Sequence, residues 1–90
     1  MITMEAALST ARAMLLLMKT RRRRHAIIIQ DGEAKIRVIN DGDEVRPSWL
    51  KPPTKLVGVY ATGANPQDVA DDIITTAAGD YATRQARRLP

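Results

Sequence analysis

Four consecutive arginines, Arg21, Arg22, Arg23 and Arg24, are the densest group of chemically capable side chains in this chain. A guanidinium stays charged at any physiological pH and presents a planar fork of N–H donors that matches phosphate oxygens. Three more, Arg84, Arg87 and Arg88, lie near the C-terminus, so two short stretches hold seven of the 14 Lys and Arg residues. Against ten Asp and Glu this gives a net charge of +4 and a sequence pI near 10.0. Cations gathered on one surface attract polyanions and release their counterions. The acids lie elsewhere: Asp41, Asp43 and Glu44 in one turn, Asp68, Asp71 and Asp72 in a later segment. That separation predicts a molecule with two faces of opposite sign. Two plainer accounts compete with it. Arginines that end a helix complement the negative end of its dipole, or they pair with the chain's own aspartates.

The other candidates for chemistry are weaker. With no cysteine there is no disulfide, thiol nucleophile or Cys-based metal site. The one histidine, His25, has neither a nucleophile nor an orienting carboxylate at a recognisable spacing, and reads as a strand residue beside the basic patch. Asn40-Asp41-Gly42-Asp43-Glu44 has the oxygen density of a calcium loop. Aligning Gly42 with the glycine of an EF-hand, however, puts Arg37 and Ile39 at ligand positions and Ser48 where the closing glutamate belongs. A hairpin turn is expected there. Gly58 and Gly63 lack the inner glycine of a dinucleotide fingerprint, and no Lys-Ser/Thr pair follows for a P-loop. Adjacent Asp71 and Asp72 diverge by about 100° on a helix and do not converge on one bond. No catalytic residue, metal, cofactor or small-molecule substrate is assigned, and the chain is read as non-enzymatic.

The elements that position these residues follow from periodicity. Residues 3–20 predict an amphipathic helix with Met4, Leu8, Ala11, Leu15 and Met18 on one face, widened by Ala7 and Met14. Leu16 falls on its polar face and Leu17 on the flank. Either the basic segment or the C-terminal tail folds over them, or they meet another chain. Ala26-Ile27-Ile28-Ile29 predicts a strand over 25–30, and Asp31-Gly32 a hairpin turn. The return strand over 33–40 alternates, with Ala34, Ile36 and Val38 on one side and Lys35 and Arg37 on the other. Residues 44–46 form an optional short strand, and 47–54 a loop framed by Pro47, Pro52 and Pro53. In that loop Trp49 is either a lid on the core or an anchor for a partner. A last strand over 55–61 is expected to turn Val57, Val59 and Ala61 to one side. Asn65-Pro66 then starts a helix that carries Val69, Ala70, Ile73, Ile74 and Ala77 inward and stops at Gly79.

The expectation is an α+β fold of order α-β-β-(β)-β-α: a three- to four-stranded antiparallel sheet with the N-terminal and C-terminal helices packed on one face. Residues 1–79 form a single domain, and 80–90 a basic tail or short helix. There is no Phe, one Trp and two Tyr, so the core is aliphatic and thin. A thin core invites help from an oligomer or partner. The longest apolar run, residues 13–18, is far too short to span a membrane. The charges follow it rather than precede it, which is the wrong order for a secretory signal. A cytoplasmic, intracellular protein is expected.

The helix-strands-helix order is similar to that of double-stranded RNA-binding domains. Those domains place lysines at the start of the second helix, where this chain has Asp68, Asp71 and Asp72. The strand-turn-helix Gly58-Val59-Tyr60-Ala61-Thr62-Gly63-Ala64-Asn65-Pro66-Gln67-Asp68-Val69 resembles that of HicB-like antitoxins over roughly a seventh of the chain. The same residues serve any strand that runs into a capped helix, and neither family is adopted. The function expected is a small binding module that contacts nucleic acid or a nucleoprotein complex through Arg21–Arg24, joined by Arg84, Arg87 and Arg88. With no aromatic pair to stack bases, weak sequence preference is expected. The alternative is a protein-binding inhibitor, adaptor or assembly subunit of the phage or plasmid type. It would use Leu16, Leu17 and Trp49 toward a protein partner or a homo-oligomer.

Overall fold

Thr3 opens the first helix. Its Oγ1 accepts a hydrogen bond from the Ala6 N–H at 3.1 Å, satisfying a donor that the first turn leaves without a partner. The helix, α1 (Met4–Arg21), ends where Arg22 turns left-handed and its N–H bonds back to the Met18 carbonyl. The computed structural model describes residues 2–40 and 42–79; the tail expected over 80–90 lies outside the described residues.

Three strands follow: β1 (Arg24–Gln30), β2 (Glu33–Ile39) and β3 (Lys55–Tyr60). Asp31 and Gly32 join the first two with φ of 55° and 75°, the paired positive values of the tight turn their types favour. The sheet is antiparallel with order β2-β1-β3, so β1 is central. The pairing of Ile29, Ile27 and His25 with Ala34, Ile36 and Val38 puts those residues on one face, with Lys35 and Arg37 on the other, as the alternation predicts. The final helix, α2 (Pro66–Ala77), is capped by Asn65, whose Oδ1 accepts from the N–H groups of Gln67 at 2.8 Å and Asp68 at 3.4 Å. Ala78 and then Gly79, at φ 84°, end it. The fold is therefore α-β-β-β-α with both helices against the sheet.

The core lies between sheet and helices. Ala7, Ala11, Met14 and Met18 of α1 meet Ile27, Ile29, Val57 and Tyr60 of the sheet and Val69, Ala70 and Ile73 of α2. The inward stripe of α1 is thus centred on Ala7-Ala11-Met14-Met18. Met4 is exposed, and Leu8 and Leu15 are half-buried at the margin. Small residues in this stripe let α1 lie close to α2, its most extensive helical neighbour.

β1 is buried on both faces from His25 to Ile29. Helices cover one face. The connection through residues 40–54 must travel from the β2 edge to the β3 edge, past β1, and Ala26 and Ile28 are buried on the face the helices leave open. Residues 44–46 make no fourth strand. The expected loop contains a 3₁₀ turn, Pro47–Leu50, with the Trp49 N–H bonded to the Arg46 carbonyl at 2.9 Å. Pro47 fixes a φ suited to that turn and offers no donor to a ladder.

β3 departs from simple alternation. Ile27 pairs with Gly58 but Ile28 pairs with Leu56, so Val57 is the extra residue of a bulge. Val57 is buried with the core, whereas Val59 pairs with Ala26 on the opposite face and is 37% exposed. The expected grouping of Val57, Val59 and Ala61 on one side does not hold.

Candidate nucleic-acid interface

The arginine run forms the junction between helix and strand. Arg21 is the last residue of α1, Arg22 its left-handed cap, Arg23 the link and Arg24 the first residue of β1; all four are exposed. Arg22 has φ 52° and ψ 39°, a conformation that glycine adopts freely and that costs other residues about 1 kcal/mol. Two contacts hold the junction. The Arg23 Nη1 donates to Asn40 Oδ1, which ties the junction to the residue that follows β2. One residue beyond Arg24, the His25 ring lies 1% exposed, with Nδ1 3.0 Å from the Arg23 carbonyl. A carbonyl only accepts, so Nδ1 carries the proton in this bond. His25 therefore supports the basic patch from below.

Among the described residues, no carboxylate lies within ion-pair reach of these four guanidinium groups. The arrangement of the helices keeps Asp68 and Asp71 away. Gln67 Nε2 lies 3.7 Å from Met4 Sδ, so the N-termini of α1 and α2 share one end of the helical layer. Arg21 is about 25 Å further along α1 at 1.5 Å per residue. Asp68 and Asp71, exposed in the first turns of α2, are at the far end from the arginines.

Asp72 does not belong to an acidic surface. It is buried and accepts the Tyr60 hydroxyl at 2.8 Å. Tyr60 reaches it by lying across Gly58, where an added Cβ would come within 2.9 Å of the phenolic oxygen. The sequence carried a signal for this. Asp72 stands three residues after Val69 and one before Ile73, on the apolar side of α2, and Gly58 precedes Tyr60 by the strand period of two.

A groove of about 490 Å³ lies between β2 and the connection that follows it. Four successive β2 residues from Ile36 to Ile39 line it. Its other wall is the connection, including Asn40, Asp43, Glu44, Arg46 and Trp49. Trp49 is half-buried and lines this groove. Leu16 stands 67% exposed on the outer face of α1, not covered by the arginine segment, and Leu17 beside it is half-buried. These leucines and Trp49 belong to different elements. Arg84, Arg87 and Arg88, like Asp41, lie outside the described residues.

Among the described residues no group of three or more His, Cys, Asp or Glu is placed to hold a metal ion, and no helix is long and apolar enough to cross a membrane. No protein-family model, curated protein or solved structure matches the chain.

Proposed function

We propose that this chain is a small non-enzymatic binding module that holds the phosphates of a nucleic acid on the arginine junction 21–24. The observation that carries the reading is four adjacent guanidinium groups, all exposed and, among the described residues, engaged with no carboxylate. Arg22 adds support, because a charged residue stands where glycine is the easier choice. Contact through phosphates implies weak sequence preference and binding that weakens steeply with salt. Arg84, Arg87 and Arg88 extend the same chemistry if the tail reaches the ligand.

Fluorescence anisotropy with a labelled oligonucleotide at low salt tests this, comparing the native chain with a variant carrying Ala at 21, 23 and 24 and Gly at 22. The variant should bind at least tenfold more weakly. Equal affinity would remove the proposal.

A second reading rests on Leu16, a large apolar side chain 67% exposed on α1. There the chain is an adaptor or assembly subunit, with Leu16 and Leu17 against a protein partner or second copy. Light scattering across a concentration series reads it: association that Leu16→Glu abolishes supports it, and a strict monomer at all concentrations counts against a homo-oligomer.

A further inference from the structure

The sole tryptophan of the chain walls a groove that, among the described residues, also holds two arginines, Arg37 and Arg46, and two acids, Asp43 and Glu44. We infer that this groove takes an unpaired base of a single-stranded nucleic acid whose phosphates lie on the arginine junction. The inference rests on the proposed phosphate contact and adds what the junction alone cannot specify, namely the form of the strand.

Three observations lead there. First, among the described residues the groove sets two guanidinium groups against two carboxylates, so a bare phosphate chain gains little from entering it. A nucleobase is neutral, flat and polar at its rim. An indole or guanidinium plane stacks on its face, and carboxylates accept from its amino and imino N–H groups. Second, about 490 Å³ is within the range that holds a small organic ligand. Third, the groove and the junction share a residue. Asn40 lines the groove, and its Oδ1 takes the hydrogen bond from Arg23. A strand whose backbone crosses the arginines therefore has the groove beside it. In a duplex the bases stay paired and stacked, and none reaches the groove without being extruded.

Because the chain has no other tryptophan, its intrinsic fluorescence reads Trp49 directly. The native chain is titrated with an oligothymidylate, with a duplex of the same length and with inorganic polyphosphate, following both emission and affinity. The oligothymidylate should quench Trp49 and bind on the order of ten- to a hundredfold more tightly than polyphosphate, the scale of one stacked base. Duplex should bind through the junction without quenching. Trp49→Ala should weaken oligothymidylate binding about tenfold, while Trp49→Phe, which keeps a stacking face, should restore most of it. Oligothymidylate that binds the native chain with unchanged Trp49 emission, together with full affinity in Trp49→Ala, would overturn the inference and leave the arginine junction standing. Failure of all three polyanions to bind at low salt would overturn both.

Discussion

Arg22 sits in a left-handed conformation at the end of α1, and the position separates charge from fold. Replacing it with glycine relieves backbone strain and removes one cation. Arg22→Gly should therefore leave stability unchanged or raise it by up to about 1 kcal/mol in urea unfolding, while weakening nucleic-acid binding. A loss of stability beyond that would mean the side chain itself holds the junction. The Tyr60–Asp72 hydrogen bond is the opposite case, a buried polar pair that serves the fold. Tyr60→Phe removes the phenolic donor from a buried carboxylate, at a cost of about 1–3 kcal/mol. Gly58→Ala drives a Cβ into the phenol, 2.9 Å from its oxygen, and should cost a similar ~1–3 kcal/mol. Neither change should alter the salt dependence of binding, which the same unfolding and anisotropy measurements can check together.

At the scale of elements, the bulge in β3 and the rotation of α1 make claims that substitutions can separate. Val57 is buried in the core and Val59 is on the opposite face, so Val57→Thr should destabilise markedly, by about 1–3 kcal/mol, whereas Val59→Thr should be tolerated. In α1, Met14→Ala opens the core and should cost about 2–5 kcal/mol. Leu16→Glu, on the outer face, should fall within about 0.5 kcal/mol of the native chain. Most of the element order was legible because local signals agreed with the fold: Asp31-Gly32, Asn65-Pro66 and Gly79 punctuate the chain where the structure turns or caps. Strand alternation in β2 held for the same reason, since one face is wet. In β3 it failed because a bulge inserts one residue and so exchanges the faces beyond it, and nothing in Leu56-Val57-Gly58-Val59 marks where the insertion falls. In α1, periodicity centred the inward stripe on Met4, Leu8, Ala11, Leu15 and Met18, whereas the structure centres it on Ala7, Ala11, Met14 and Met18, because apolar residues ring so much of the helix that several stripes are open to it. Packing against α2 made that choice. The arginine junction was visible as a run of one residue type. The groove was not, because Arg37, Asn40, Arg46 and Trp49 are brought together only by the path the connection takes after β2.

For the molecule as a whole, two helices that start at the same end carry the α2 acids away from the arginines. Asp68 and Asp71 sit at one end of the helical layer and Arg21 to Arg24 at the other, and among the described residues the nearer acids, Asp43 and Glu44, line the groove without pairing with the four exposed arginines. Four exposed guanidinium groups at this end are what the proposed polyanion contact rests on. The measurement that tests it most directly is the slope of log affinity against log salt concentration for an oligonucleotide, in the native chain and in the variant with Ala at 21, 23 and 24 and Gly at 22. Each phosphate contact on a single strand contributes a slope of about −0.7, so loss of four contacts should make the variant's slope shallower by about 2 to 3. Parallel lines with equal affinities would contradict the account, since the junction would then hold no phosphate at all.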